Sequence, residues 1–185
     1  MLVGWTDASP PERFAAGRRL LADLARELGG PESLTVISRC AVCGGDHGRP
    51  VDPSGRFALS VGYAAGLVAA AAVPATVAPE VGVDVERTAP ASTRDSGELA
   101  SLFAPRPAPD LRGWTAIEAV LKADGRGLLV PPDRVVFTGA PGVLLGDGRL
   151  ATVPGAGGSF EVVPVPAPEG FVISVAIGTA WMPGS

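Results

Sequence analysis

Histidine, tyrosine and cysteine are nearly absent from this 185-residue chain, which contains one, one and two of them respectively. Aromatic residues make up only 5% of the chain, and no run of basic residues is present, so it lacks the stacking platforms and cationic patches that nucleic-acid-binding surfaces use. The net charge of −4 gives no attraction to nucleic acid or to an anionic membrane. We therefore expect neither of them as a partner.

Long apolar segments are also missing. The longest, residues 67–73, is far shorter than the roughly 20 residues that a membrane-spanning helix needs. The first seven residues lack the basic and apolar regions of a signal peptide, so we expect a cytoplasmic protein. Hydrophobic residues still make up 46% of the chain, which is enough for the core of one domain or of two small fused lobes.

The two cysteines, Cys40 and Cys43, form a Cys-x-x-Cys motif that is followed by His47. A closed zinc site needs four protein ligands, and here a carboxylate would have to supply the fourth. A redox dithiol lacks the surrounding βαβ pattern. We interpret the cysteines as cytosolic thiols at a turn, and a zinc-stabilised interaction domain is the remote alternative.

Hydrophobic periodicity and turn residues predict a mixed α+β protein. Apolar residues at helical spacing predict helices over residues 12–28 and 111–123, which end at Gly-Gly and Asp-Gly pairs. Residues 67–73 are rich in alanine, yet their short length between glycines and a proline favours a hairpin strand. Other short β-rich runs predict strands at residues 34–39, 57–61, 81–85, 135–137, 142–145, 149–153, 159–165 and 171–177.

The polar, proline-rich segment 88–110 predicts a linker between two lobes. The N-terminal lobe would comprise residues 1–87 and the C-terminal lobe residues 111–185. The predicted elements of each include a β-hairpin and a helix, which indicates two similar halves, each with an antiparallel sheet packed against a helix. Fused halves make a dimer unnecessary, so we expect a monomer.

Three carboxylates and a lysine stand out in two short segments. Asp84 and Glu86 are two residues apart in a predicted strand and therefore share one face. Trp114, Glu118 and Lys122 share one face of the second predicted helix. Alone, each segment is explained by a strand running into solvent or by a surface ion pair. Together they suit Mg²⁺, which uses carboxylates with substrate phosphates, beside a lysine that stabilises phosphate charge.

The order of these motifs resembles that of the 4′-phosphopantetheinyl transferase superfamily, and the likeness spans nearly the whole chain. The early helix and the last predicted strand also resemble those of the family. The counterparts of the family's motifs are Gly48-Arg49-Pro50, Phe57-Ala58-Leu59-Ser60-Val61, Gly82-Val83-Asp84-Val85-Glu86, the helix from Trp114 through Glu118 to Lys122, and Gly125-Arg126-Gly127-Leu128.

The resemblance implies two similar α/β lobes with the active site between them. It implies Mg²⁺-dependent transfer of the phosphopantetheine arm of coenzyme A to a serine of an acyl or peptidyl carrier protein. Asp84, Glu86 and Glu118 would hold the metal ion, Glu118 would help to deprotonate the serine, and Lys122 would stabilise phosphate charge. The residues implied to bind coenzyme A are Arg18, Arg49, Ser60 and Lys122.

Three positions depart from the family pattern. Ala58, Val61 and Ile117 stand where similar enzymes have Asn, His and Lys, respectively. We expect each change to remove a polar group from the coenzyme A side of the site. The alternative function is therefore that of a divergent non-transferase of the same fold, which binds coenzyme A or a carrier protein or acts on a carrier-bound intermediate.

Overall fold

A computed structural model describes residues 1–38, 44–46, 48–88, 96–142, 144–146 and 148–179. Cys40, Cys43 and His47 lie outside the described residues, so the interpretation of that segment stays a prediction. The helices of the described part are α1 (Arg13–Glu27), α2 (Ser96–Phe103) and α3 (Leu111–Asp124), with short 3₁₀ turns at Gly127–Leu129 and Pro132–Arg134. None of these helices is both long enough and apolar enough to cross a membrane.

The described strands pair in antiparallel fashion, and with few helices beside them they confirm the predicted α+β class. The sheets have the strand orders β1-β5-β4, β6-β10-β9-β8-β7 and β2-β3. In chain order the strands are β1 (Leu2–Asp7), β2 (Ile37–Ser38), β3 (Pro50–Val51), β4 (Phe57–Ala64), β5 (Leu67–Pro74), β6 (Val81–Arg87), β7 (Val136–Pro141), β8 (Arg149–Thr152), β9 (Ser159–Val165) and β10 (Phe171–Thr179).

The two larger sheets share one order of connection. Strand β1 is followed by α1 and later by the hairpin β4–β5, and β1 pairs with β5. Strand β6 is followed by α3 and later by the hairpin β9–β10, and β6 pairs with β10. Because β6 precedes residue 88, the chain enters the second sheet before the predicted linker begins. The domain boundaries themselves stay a prediction.

Strand β5 confirms the hairpin strand that was favoured over a helix for residues 67–73. Its alanines are buried on both faces. Ala70 and Ala72 pack with the α1 residue Leu21, whereas Ala69 and Ala71 belong to the same cluster as the β6 valines. Small side chains allow a helix and a second strand to approach this strand from opposite sides.

Two predictions of elements are wrong. No strand is predicted for Leu2–Asp7, yet β1 is present because β5 offers it a full antiparallel partner. A strand is predicted for residues 142–145, but the described residues among them lie outside strands. There the N–H groups of Leu144 and Leu145 donate hydrogen bonds of 2.8–2.9 Å to the buried carboxylate of Glu161 instead of to a neighbouring strand.

Helix α3 is placed against β6 by Gly82. A methyl group at this position would overlap the backbone of Ala119 and Ala123, so only glycine allows the observed approach. Asp110 caps the start of the helix, where its carboxylate accepts the Gly113 N–H at 2.7 Å, and Gly125 caps its end with a left-handed φ of 84°. This packing sets one side of α3 beside the carboxylates of β6.

Candidate functional site

The carboxylates of Asp84, Glu86 and Glu118 form an acidic cluster. One oxygen of each lies within 4.8 Å of the others. Asp84 and Glu86 project from the same face of β6, and Glu118 faces them from α3. Asp84 is only 3% exposed, and its Oδ2 atom has no hydrogen-bond partner within the described residues. A buried carboxylate oxygen in this position is costly unless a ligand satisfies it.

The acidic cluster fits a divalent metal ion. Carboxylate oxygens are the hard ligands that Mg²⁺ prefers, and Asp84 Oδ2 is available to act as one. Oxygens bound at about 2.0–2.1 Å on adjacent corners of an octahedral Mg²⁺ ion lie about 3 Å apart. The three carboxylates, whose oxygens lie within 4.8 Å of one another, would therefore have to move closer together for all three to share one ion.

Lys122 connects the acidic cluster to its surroundings. Its Nζ atom donates to Asp84 Oδ1 at 2.7 Å and to the carbonyl of Val83 at 3.1 Å. An ammonium group has three donors, so one remains for a further acceptor. Three carboxylates and one lysine leave two negative charges when all four are ionised, which is the charge that a divalent cation neutralises.

A cavity of about 420 Å³ and one of about 320 Å³ lie at different parts of α3. The smaller of the two is lined by three cations, Arg49, Lys122 and Arg126, and we call it the basic cavity. Strand β4 contributes Val61 and Tyr63 to its wall. Lys122 belongs both to this wall and to the acidic cluster, so the two features are adjacent.

Carboxylates lie near both arginines of the basic cavity, and one of them is hydrogen-bonded to Arg126. Arg126 donates to both oxygens of Asp124, at 2.7 and 2.8 Å, and the Asp124 side chain is only 4% exposed. Arg49 donates to the carbonyl of Ala123 at 3.5 Å. Burial lowers the pKa of Arg49, whereas the nearby carboxylates of Glu80 and Asp124 raise it. Arginine stays charged at neutral pH in this setting, so the cavity presents fixed positive charge.

The remaining residues implied to bind coenzyme A occupy different positions. Ser60 lines the basic cavity but is buried, and its Oγ atom accepts the N–H of Val83 at 3.0 Å. This bond joins β4 to the open edge of β6. Arg18 does not line the basic cavity. It lines a smaller cavity of about 40 Å³ beside α1, which shares Val61 and Tyr63 with the basic cavity, and its role in binding stays a prediction.

The three departures from the family pattern also separate. Val61 lines the basic cavity. Ile117 is 5% exposed and packs in the hydrophobic core around α3, so it does not line this cavity. Ala58 lines a different cavity, of about 300 Å³, together with Arg49. A lysine at position 117 would be buried in the core of this protein.

Sequence reasoning missed Tyr63, the only tyrosine of the chain. It lines the basic cavity, and its ring contacts Phe14 edge-on with 5.3 Å between ring centroids. Burial raises the pKa of Tyr63, and the charges of Arg18 and Arg13 oppose this shift. A signal for it was present, because Tyr63 follows Val61 by two residues and therefore shares its face of β4.

Two comparisons with known proteins give no match. No family model matches the chain. No curated protein matches it either.

Proposed function

We propose that this protein is an Mg²⁺-dependent enzyme that transfers the 4′-phosphopantetheine moiety of coenzyme A to a serine of an acyl or peptidyl carrier protein. The observation that carries the proposal is the adjacency of the acidic cluster and the basic cavity, with Lys122 common to both. Cleavage of a diphosphate requires a metal site beside a site for phosphate charge, since catalysis is mostly positioning and charge stabilisation.

The anchored cations suit the phosphate groups of coenzyme A. Arg126 is fixed by Asp124, and Arg49 lies near the charges of Glu80 and Asp124. Cations that are already oriented need little reorganisation when a phosphate binds, which strengthens the interaction. The third N–H of Lys122 would be donated to a diphosphate oxygen beside the acidic cluster.

The proposed chemical step gives each of these groups a role. Bound by Asp84, Glu86 and Glu118, Mg²⁺ would neutralise negative charge on the diphosphate. Glu118 would accept the proton of the carrier serine, directly or through a water molecule. The serine oxygen would form a bond to the β-phosphorus as the bond between this phosphorus and the bridging oxygen breaks. Adenosine 3′,5′-bisphosphate would leave with that oxygen and its electron pair.

We further propose that the chain consists of two related halves with the active site between them. The shared order of strand, helix and hairpin supports this. The approach of β4 to β6 also supports it, since Ser60 bonds to Val83 and a methyl group at Gly62 would lie 3.1 Å from the Val83 carbonyl oxygen. Such a fused molecule would act as a monomer, and an enzyme with these substrates would act in the cytoplasm.

The direct test is the intact mass of candidate apo-carrier proteins after incubation with the enzyme, coenzyme A and Mg²⁺. We expect a gain of one phosphopantetheine arm, which disappears with a chelator. Asp84→Asn and Glu118→Gln should abolish the gain, whereas Glu27→Gln, at an exposed position of α1, should not. Equal transfer by all three variants would contradict the assignment of the site.

A second candidate function is favoured by Val61. This side chain gives the basic cavity an apolar wall where similar enzymes have a histidine. A divergent relative that binds coenzyme A or a carrier protein without transfer would have this property. Tight binding of coenzyme A in a calorimeter, with no mass gain on any carrier protein, would support this candidate over the first.

A further inference from the structure

The cavity of about 420 Å³ lies at the N-terminal half of α3, and we call it the α3 cavity. Its volume falls in the range of small-molecule sites. Its walls include the apolar side chains of Ala116, Val162 and Val172. The function proposed above makes no use of it.

The mouth of the α3 cavity carries positive charge. Arg112 and Arg149 line it, and both are exposed. Within the described residues, neither arginine forms an ion pair with a carboxylate. The guanidinium of Arg149 lies 4.3 Å from the ring centroid of Phe137, which restricts its position. Asp110 also lines the cavity, but its carboxylate already accepts the Gly113 N–H at the positive end of the helix.

The floor of the α3 cavity has the opposite character. The hydroxyls of Thr115 and Ser174 are buried and lie 3.1 Å apart. The Thr115 hydroxyl also lies 3.0 Å from the Arg112 carbonyl and 3.2 Å from the Leu111 carbonyl, and either hydroxyl of the pair can donate to the other. The floor is therefore polar but carries no positive charge. Ser174 also lies opposite Asp84 in the ladder of β6 and β10, which adds negative charge nearby.

We propose that the α3 cavity binds a small organic carboxylate. The carboxylate lies at the mouth, where Arg112 and Arg149 bind it, and a short apolar chain extends along Val162 and Val172. The reverse orientation would place the anion away from both arginines and beside the acidic cluster. This site is independent of phosphopantetheine transfer, because its ligand needs no phosphate and makes no contact with the basic cavity.

The test compares octanoate with octanamide, which has the same chain without the charge. We expect octanoate to bind the full-length protein in NMR titrations at low salt, with shifts at residues of β9 and β10, and octanamide to bind at least tenfold more weakly. Arg149→Gln and Arg112→Gln should each weaken octanoate about tenfold or more, since each removes a charged hydrogen-bond donor. Arg126→Gln, in the basic cavity, should leave octanoate affinity unchanged.

Several results would overturn the proposal. Equal affinity for octanoate and octanamide would show that the arginines recognise no charge. Unchanged octanoate affinity in both Arg112→Gln and Arg149→Gln would also show that the arginines do not bind the carboxylate. NMR spectra that match the wild-type spectrum would show that these surface variants fold. Loss of binding in Arg126→Gln alone would place the ligand in the basic cavity. Absence of binding at millimolar octanoate would also refute the site, whatever the outcome of the transfer assay.

Discussion

Replacing Lys122 with methionine removes the positive charge beside Asp84 while keeping a side chain of similar length. In the wild-type protein, the Lys122 ammonium lies 2.7 Å from Asp84 Oδ1, and the Asp84 side chain is 4% exposed. The variant leaves a buried carboxylate without its cation. It also removes the bond from Lys122 to the Val83 carbonyl at 3.1 Å. We therefore expect a large loss of stability.

The size of this loss follows from the burial of the two groups. Breaking a buried ion pair by removing one partner costs about 3–5 kcal/mol in the free energy of unfolding. The Lys122 side chain is 32% exposed, so water already screens part of the interaction. We expect about 3 kcal/mol, at the lower end of that range.

Urea unfolding measures the effect. With an m-value of about 1–3 kcal/mol per molar urea, a loss of about 3 kcal/mol lowers the midpoint by about 1–3 M. Adding Asp84→Asn to Lys122→Met removes the uncompensated charge, so the double variant should be more stable than the additive sum of the two single variants predicts. Mg²⁺ should stabilise Lys122→Met against urea, because the ion binds the folded state only, and should stabilise Asp84→Asn much less.

Three results would refute this reasoning. A loss below about 1 kcal/mol in Lys122→Met would mean that solvent, and not the lysine, balances Asp84. Strict additivity of the two variants would mean that they do not interact. Equal stabilisation of Asp84→Asn and the wild-type protein by Mg²⁺ would exclude Asp84 as a metal ligand.

Three further substitutions test other parts of the argument. Gly82→Ala forces β6 away from α3 and should cost about 3 kcal/mol in urea unfolding, whereas Gly157→Ala, where a methyl group meets no atom within 4 Å, should cost little. The pKa of Asp52 lies below its ordinary value. Burial raises this pKa, but hydrogen bonds from Ser54 and from backbone N–H groups together lower it by more. Asp52→Asn should therefore cost about 1–3 kcal/mol at neutral pH, and its difference from wild type should shrink as the pH falls below about 4 and through the folded pKa. Arg49→Ala should raise the Kd for coenzyme A about tenfold, as measured by calorimetry, and should leave kcat in the transfer assay nearly unchanged. An unaltered Kd would contradict the role of Arg49 in the basic cavity.

Elements with strong local signals were predicted well from the sequence. Helix α3 has periodic apolar residues, an Asp-Gly stop and a cap that its own side chain supplies, all within one short segment. The alternation in β6 is equally local, so the shared face of Asp84 and Glu86 follows from strand geometry alone. The charged residues of the acidic cluster could therefore be named before their distances were known.

Features that depend on distant partners could not be predicted in this way. Strand β1 exists because β5, more than 60 residues later, pairs with it. The turn after β7 forms because a buried carboxylate from β9 accepts its N–H groups. Periodicity along a segment carries no information about either partner.

The sequence by itself determined which residues of β6 and α3 carry charge and which face of each element they share. Only the tertiary structure decided what those residues meet. The absence of a side chain at Gly82 lets α3 approach β6 closely enough for Lys122 to reach Asp84. The same packing places Ile117 in the core. When a helix lies against a sheet, its rotation about its own axis decides which of its positions are buried, and the neighbouring residues in the chain do not reveal that rotation.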